Sequence, residues 1–296
     1  MPQVLLLTGL PRPAPEDNAA LLAPAFRARG WNVATACVDT LRLGNRRVEA
    51  TTETGACVPV DACALLWILG FGRRGSFLDK MQLLGAASRT VPCVNDVEAV
   101  VQLHGKYALA VGPPPFPHPE TWASSEPTEL VARARAGGGR WVLKPPGGSF
   151  GRDVHVLDAG DAALEATAAA LTAGERFALL QRWVPEAAEG EHRILVAGGE
   201  PIGSYARAPR PGAANLTAGG TPVCAAPDPA RDDLARRVGS WLLARGVRYA
   251  GVDVAGGTVL EVNVVNPGGL ATLRQLGEED RCGAAVEAVL RSLRLA

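Results

Sequence analysis

Residues 249–267 read YAGVDVAGGTVLEVNVVNP. Two apolar, β-branched runs, 250–254 and 258–265, flank Gly256-Gly257, and that pattern predicts a β-hairpin. Three oxygen-bearing residues interrupt the runs: Asp253, Glu261 and Asn263. Glu261 and Asn263 are two apart, so on a strand they share a face. Asp253 joins that face only if it stands opposite Glu261, which needs an odd number of residues between them across the turn. A three-residue or bulged hairpin, with glycine in the left-handed region, meets the condition. Two carboxylates and an amide oxygen on one rigid surface suit Mg²⁺ shared with phosphate groups. A solvated acidic strand face is the competing reading, and the apolar neighbours weigh against it.

Working outward, the bulk properties exclude several classes. The 296 residues carry 30 Lys+Arg against 30 Asp+Glu, and length points to two domains or three small ones. Zero net charge without a basic run argues against a nucleic-acid partner. No apolar segment approaches the roughly 20 residues that span a bilayer. The start, MPQVLLLTGLPRP, lacks the basic residues of a signal peptide and reads as a first buried strand. A cytoplasmic protein is expected. Six scattered cysteines without a C-x-x-C pair read as small buried apolar residues of a reducing compartment, and no Cys/His cluster has zinc spacing. Nearly all positive charge is arginine; the lysines are Lys80, Lys106 and Lys144. Where arginine dominates, a retained lysine hints that a compact ammonium is needed.

Residues 1–97 alternate strand and helix: strands at 4–8, 31–38, 62–69 and 91–95, helices at 18–29 and from Ser76 to 89. This βαβ rhythm predicts a small doubly wound parallel sheet. Asp96 reads as the cap of a helix through Ala110 that carries Lys106. A proline-rich linker follows, 112–119, then a helix at 128–136 and a strand at 140–145. Further strands are expected at 153–157, 177–183, 192–197 and 201–207, with helices at 161–172, 229–245 and 283–294.

Two glycine-rich stretches invite a phosphate reading. Gly70-Phe-Gly72-Arg-Arg-Gly75 matches the dinucleotide pattern G-x-G-x-x-G after a strand and before a helix. It is not on the first strand, however, and two arginines occupy the turn; a loop that meets an anionic substrate through Arg73 and Arg74 is the alternative. The second stretch, WVLKPPGGSFGR at 141–152, puts a lysine at a strand end before a glycine-rich reversal and another strand. Such a loop can lay backbone N–H groups and a hydroxyl over phosphates, or it is an ordinary flexible hairpin loop. It is no Walker loop, since the lysine precedes the glycines and no helix follows.

In order, these pieces resemble the ATP-grasp ligases, and within them the prokaryotic glutathione synthetases and ribosomal-protein glutamate ligases. The carrying residues are Asn95 with Lys106, LKPPGGSFG at 143–151, QRWVP at 181–185, GEHR at 190–193, GEPIG at 199–203 running to Arg207, NLTAGG at 215–220, and the hairpin with Asn266-Pro267. The resemblance implies an α/β (α+β) ATP-grasp fold with an N-terminal Rossmann-like domain at 1–97, a central lid subdomain at 98–176 and a C-terminal subdomain at 177–296. It implies an ADP-forming carbon–nitrogen ligase that activates a carboxylate as an acyl phosphate for attack by an amine. By the same resemblance, Lys106 and Lys144 hold the ATP phosphates. Gln181, Arg182, Trp183 and Val184 read the adenine, and Glu191 takes the ribose. Gly147, Gly148, Ser149 and Gly151 form the lid. Asp253, Glu261 and Asn263 hold two Mg²⁺ or Mn²⁺, and Arg193, Arg207 and Asn215 serve the reacting groups. The implied partners are small-molecule carboxylates and amines, not nucleic acid or membrane, with room for a homo-oligomer (dimer or tetramer). One departure stands out: glutathione synthetases carry an arginine two residues before the asparagine, and here Ala213 stands there, with Arg210 nearby. The acid and amine stay open between glutathione synthesis and glutamate addition to a pterin, a protein tail or a natural-product peptide. A nucleotide-binding regulator without turnover is the remaining alternative.

Overall fold

The predicted hairpin forms, and its odd count has a different source from a long turn. In the computed structural model, which describes residues 1–112, 114–147, 153–208, 220–278 and 281–296, Tyr249–Ala255 pairs antiparallel with Thr258–Asn263. The turn is only Gly256-Gly257, both left-handed at φ 52° and 80°, as a two-residue type I′ turn requires. Val254 stands opposite Val259 and Asp253 opposite Glu261, so a bulge at Leu260 supplies the extra residue. That bulge turns Asp253 onto the face of Glu261.

The hairpin edges a five-stranded antiparallel sheet ordered Thr221–Cys224, Glu200–Ala208, Glu191–Ala197, Tyr249–Ala255, Thr258–Asn263. A second sheet is parallel: Asn32–Cys37, Gln3–Thr8, Leu65–Leu69, Cys93–Val94. Both of its faces are covered, which is why its strands read as unbroken apolar runs. Alternate residues go to opposite cores. Leu5 and Leu7 pack with Met81 and Leu84 of the helix Phe77–Ala87. Val4 and Leu6 pack with Leu22 and Phe26 of Asn18–Arg27, and that core continues into Leu195 and Tyr249 of the C-terminal sheet and Val286 of the helix Arg281–Ser292. Edge-to-face rings run through it, Phe26 to Trp67 at 5.9 Å and Trp67 to Tyr249 at 5.4 Å.

Asn95 completes this junction. Its amide nitrogen donates to the carbonyls of Tyr249 and Val264 at 2.7 and 2.8 Å, and its Oδ1 accepts from the N–H groups of Arg248 and Tyr249 at 2.6 and 2.8 Å. The parallel sheet is therefore fastened to the hairpin that carries the acidic face.

The third sheet stands apart. Its order is His155–Asp158, Arg140–Lys144, Ala178–Arg182, Thr121–Ser124, all antiparallel. It has its own core, with Leu130 and Ala134 of Pro127–Gly137 and Ala168 of Leu164–Thr172 against Trp141, Leu143 and Leu180. Ala178–Arg182, which a division at 176/177 assigns to the C-terminal part, hydrogen-bonds inside this central sheet.

Several sequence expectations need correction. The helix from Asp96 ends at Leu103, not Ala110; Gly105 interrupts it, and Lys106 lies beyond in the left-handed region at φ 66°. Neither Ser76 nor Asp96 caps with its side chain; Asp96 pairs with Arg248 at 2.5 Å instead. The sequence reading missed the three-stranded sheet of Arg42–Gly44, Arg47–Thr51 and Cys57–Pro59, the strands Thr121–Ser124 and Thr221–Cys224, and the helix Leu270–Gln275. Most of these are too short for a periodic signal.

Candidate active site

The register Glu191↔Arg207, Arg193↔Asp253 and Asp253↔Glu261 lines alternating charges across the C-terminal sheet. Arg193 grips Asp253 with both arms, Nε to Oδ1 at 2.5 Å and Nη2 to Oδ2 at 2.8 Å, and donates Nη1 to the carbonyl of Gly268 at 3.0 Å. Arg207 lies between two carboxylates, 3.4 Å from Asp253 and 3.6 Å from Glu191. Asn263 donates its amide to Asp253 Oδ2 at 3.3 Å. Lys106 Nζ meets Glu261 at 3.1 Å.

This crowding shifts proton affinities. Burial raises the Asp253 carboxyl, but Arg193 and Arg207 outweigh it and hold the group below the usual carboxylate range. Glu191 goes the other way: burial, then the Asp253 charge, pushes it up to about 7, with Arg207 too distant to compensate. The same face thus holds one firmly ionised carboxylate and one poised near neutrality.

Lys144 ends the strand Arg140–Lys144 and enters the cluster from the central sheet. Its ammonium is buried and donates to the neutral Gln181 Oε1 at 3.0 Å. Burial lowers its pKa, while Glu261 works against that shift. Gln181 is in turn held by Thr121, to whose hydroxyl it donates at 3.0 Å. Thr121 was not singled out from sequence, because its strand is too short to register. The expected helical setting of Lys106 gives way to a left-handed turn, a conformation that costs a non-glycine residue about 1–2 kcal/mol and aims the ammonium at Glu261.

The adenine segment divides into side chains and backbone. Arg182 stacks over Trp141 at 3.6 Å and donates to the carbonyls of Gly138 and Gly137 at 2.6 and 3.3 Å, so its side chain braces the central sheet. Trp183 N–H is taken by the carbonyl of Arg140, and Val184 C=O by Ala187 N–H. Trp183 C=O and Val184 N–H have no backbone partner among the described residues; they belong to one trans peptide and point to opposite sides, so one of them at most can face a given purine edge. Gly147 begins the glycine-rich loop beside His104: a Cβ on it would stand 3.3 Å from the His104 Nε2. Burial and Lys106 push His104 down to about 4, a residue that single-sequence reading had no reason to pick. Gly148, Ser149 and Gly151, like Arg210, Ala213 and Asn215, lie outside the described residues.

The dinucleotide alternative at Gly70–Gly75 fails on geometry. The concavity of that turn is filled by the chain's own Asp39, which accepts from Arg73 N–H at 2.9 and 3.1 Å and from Lys80 Nζ at 2.6 Å. Gly72 sits at φ 60°, where a Cβ would come within 2.3 Å of Asp39. A pyrophosphate would meet a carboxylate there. The third lysine is therefore a clamp for Asp39.

Asp253, Glu261 and Asn263 share one face as the register requires. Two carboxylates and an amide form a hard-oxygen donor set that fits a divalent cation. Among the described residues no cluster of three His, Cys, Asp or Glu side chains is placed to hold a metal ion. Among those residues too, no helix is long and apolar enough to cross a membrane.

An antiparallel central sheet and a larger antiparallel sheet enclosing lysines and acids, with a parallel N-terminal sheet, define the ATP-grasp class. A solved structure, the RimK domain protein ATP-grasp from Sphaerobacter thermophilus, superposes with a TM-score of 0.66 over 97% of this chain and 99% of that one, at 22% identity. The sequence matches prokaryotic glutathione synthetase, ATP-grasp domain, over residues 114–278, more than half the chain, and the chain belongs to this family. Membership implies the use of ATP. The glutathione synthetase of Gloeobacter violaceus is 36% identical over 138 residues, 46% of this chain and 43% of that protein. That of Prochlorococcus marinus is 28% identical over 283 residues, 90% of each. The chain spans about half the length of the first curated relatives it matches.

Proposed function

We propose that this chain is an ATP-dependent, ADP-forming carbon–nitrogen ligase that joins a small-molecule carboxylate to an amine. The observation that carries the reading is the convergence of Lys106, Lys144, Arg193 and Arg207 on Asp253, Glu261 and Glu191, all but Lys106 inside the family-matched region and between two independently packed sheets. Phosphoryl transfer from ATP to a carboxylate, and then displacement of phosphate by an amine, both gather charge on oxygen. Fixed cations are the catalysts such chemistry needs. Lys106 and Lys144 face the transferring phosphates, and Arg207 reaches the carboxylate under activation. Arg193 fixes Asp253, and the resemblance gives Asn215 a role toward the reacting groups. When bound, Mg²⁺ at Asp253, Glu261 and Asn263 neutralises phosphate charge and orients the γ-phosphoryl group. Backbone groups of the segment 181–184 read the base, and Glu191 takes the ribose. The central sheet, with a core separate from the rest, is a body that can close over the site and exclude water from the acyl phosphate. The three-part division at 1–97, 98–176 and 177–296, with the last strand of the central sheet extending to Arg182, describes these bodies. The six free thiols support a reducing, cytoplasmic setting.

The test is a melt with ATP and Mg²⁺ followed by ADP release over a panel of acids and amines. Stabilisation by ATP·Mg²⁺ but not by NAD, with ADP release only when acid and amine are both present, is the expected result. ATP·Mg²⁺ without effect on melting would refute the assignment.

A further inference from the structure

Thr121, Gln181 and Lys144 form a row across the central sheet. Gln181 stands directly opposite Thr121 and diagonal to Lys144, so the three side chains share one face. The hydrogen bonds along the row have one polarity. Thr121 gives its hydroxyl proton to the carbonyl of Pro119 at 2.9 Å, and its oxygen accepts from Gln181 Nε2 at 3.0 Å. Gln181 is thereby obliged to turn Oε1 to the Lys144 ammonium, at 3.0 Å. The reversed amide would set its oxygen against a hydroxyl with no proton left to give, and its NH₂ against a cation with no lone pair.

The row continues to the acidic hairpin through His118. Its Nε2 lies 3.5 Å from the Thr121 hydroxyl, and its Nδ1 lies 2.8 Å from the carbonyl of Val259. A carbonyl only accepts, so Nδ1 carries the proton. Burial, together with the Lys144 charge, pushes His118 below its ordinary value against the pull of the Val259 carbonyl, so the ring is neutral and Nε2 is a bare acceptor. Nε2 thus draws the Thr121 proton away from Gln181, as Pro119 does. The carbonyl of Pro117 takes the Val259 N–H at 2.9 Å. Residues 117 and 118 therefore hold both backbone groups of Val259, beside the bulge at Leu260 and two residues before Glu261.

We propose that His118 and Thr121 are positioning residues for Lys144: anchored on Val259, they fix the polarity of Gln181 and so hold the ammonium at a set place relative to Glu261. The proposal rests on the ligase reading, in which Lys144 meets the ATP phosphates. Without the Gln181 acceptor, the buried ammonium is drawn towards Glu261, whose charge already reaches it, and away from the phosphates. Both residues act through Lys144 rather than on the reacting atoms.

The experiment uses the full chain and ATP·Mg²⁺ in titration calorimetry. Thr121→Val keeps the volume and removes the hydroxyl, and should weaken binding about tenfold. Thr121→Ser restores the hydroxyl and should bind within about twofold of wild type. His118→Phe keeps a ring without nitrogens and should weaken binding at least about threefold. In a Lys144→Met background, Thr121→Val should change affinity by less than about twofold, because nothing is left to position; a purely structural role predicts the same loss in both backgrounds. Nitrogen NMR of the wild-type chain, with the His118 signal identified by its loss in His118→Phe, should show a neutral ring protonated on Nδ1 at neutral pH. Wild-type affinity in Thr121→Val, a serine variant as weak as the valine one, equal losses in the two backgrounds, or a His118 proton on Nε2 would overturn the proposal. Failure of the wild-type chain to bind ATP·Mg²⁺ would strike the ligase reading itself, and the NMR signature would still decide the polarity of the row.

Discussion

Replacing Lys144 with methionine should separate its cost to the fold from its use in the reaction. The side chain is 8% exposed and its partner is a neutral amide, so in the substrate-free chain the ammonium is buried without a direct counter-charge. Burial places its folded-state pKa below the unfolded value. For a base this sign means that protonation opposes folding: the cost is present at neutral pH and shrinks as pH rises towards the unfolded value. Lys144→Met removes the charge at similar volume, so the substrate-free chain should gain about 1 kcal/mol, on the order of 2 °C in melting temperature. Turnover should move the opposite way. Losing a phosphate contact of this kind costs about 2–4 kcal/mol in the transition state, roughly a 30- to 1000-fold slower release of ADP. Lys144→Arg should lose a comparable amount, because a planar fork does not fit a slot shaped for an ammonium. The assays are a melt with and without ATP·Mg²⁺ and a coupled ADP assay. Wild-type turnover in either variant, or a methionine variant that melts earlier with unchanged ATP stabilisation, would show the lysine to be structural.

Three further outcomes follow from the geometry. Asn95→Ala leaves four backbone groups at the sheet junction without their partner and should lower stability by about 3 kcal/mol in urea titration; a loss under about 1 kcal/mol would mean the junction does not depend on it. Glu191, raised to about 7 chiefly by burial, binds its proton more tightly when folded. Its contribution is complete below the ordinary carboxylate pKa and is lost as pH rises through about 7, so the wild-type melting temperature should fall across that window and Glu191→Gln should flatten the fall. Arg193→Lys should destabilise the chain by about 2–3 kcal/mol in the same titration by breaking a buried two-point pair, whereas Arg207→Lys should leave stability within about 0.5 kcal/mol and slow ADP release at least about tenfold; equal effects on stability would refute the distinction.

The hairpin was legible because its chemistry and its periodicity coincide: apolar strands mark the core, and the three exceptions mark the face. The parallel sheet was legible from unbroken runs such as Leu5–Leu7 and Leu65–Leu69, which must be buried on both sides. Lys106 was placed in a helix because nothing local reveals that the turn after Leu103 is held left-handed by a contact with Glu261, 155 residues later in the chain. The false dinucleotide motif illustrates the same gap. What fills the turn at Gly72 is Asp39, and its proximity is a product of sheet order rather than of sequence spacing. Asn95 looked like part of the site, yet each of its four hydrogen bonds is spent on joining sheets. Thr121 and His104 act through contacts alone and left no pattern to read.

The acidic face poses an electrostatic problem that the chain solves with its own cations. Asp253, Glu261 and Glu191 on one face repel one another, and Glu191 is displaced upward first by burial and then by the Asp253 charge. Asp253 is held ionised because Arg193 covers both oxygens, and Lys106 stands 3.1 Å from Glu261. Lys106, Arg193 and Arg207 are paired with these carboxylates, and in the proposed reaction the cations that can change partners would meet phosphates. Their geometry tells which can change partners. Arg193, side chain 10% exposed, is fixed at 2.5 and 2.8 Å and tied to Gly268 as well. Arg207, 24% exposed, spans two carboxylates at 3.4 and 3.6 Å without a short bond to either. A contact at that distance gives up little when a phosphate or acyl oxygen arrives, so in the proposed reaction Arg207 is the cation able to follow the reacting group, and Arg193 is the anchor that keeps Asp253 ionised.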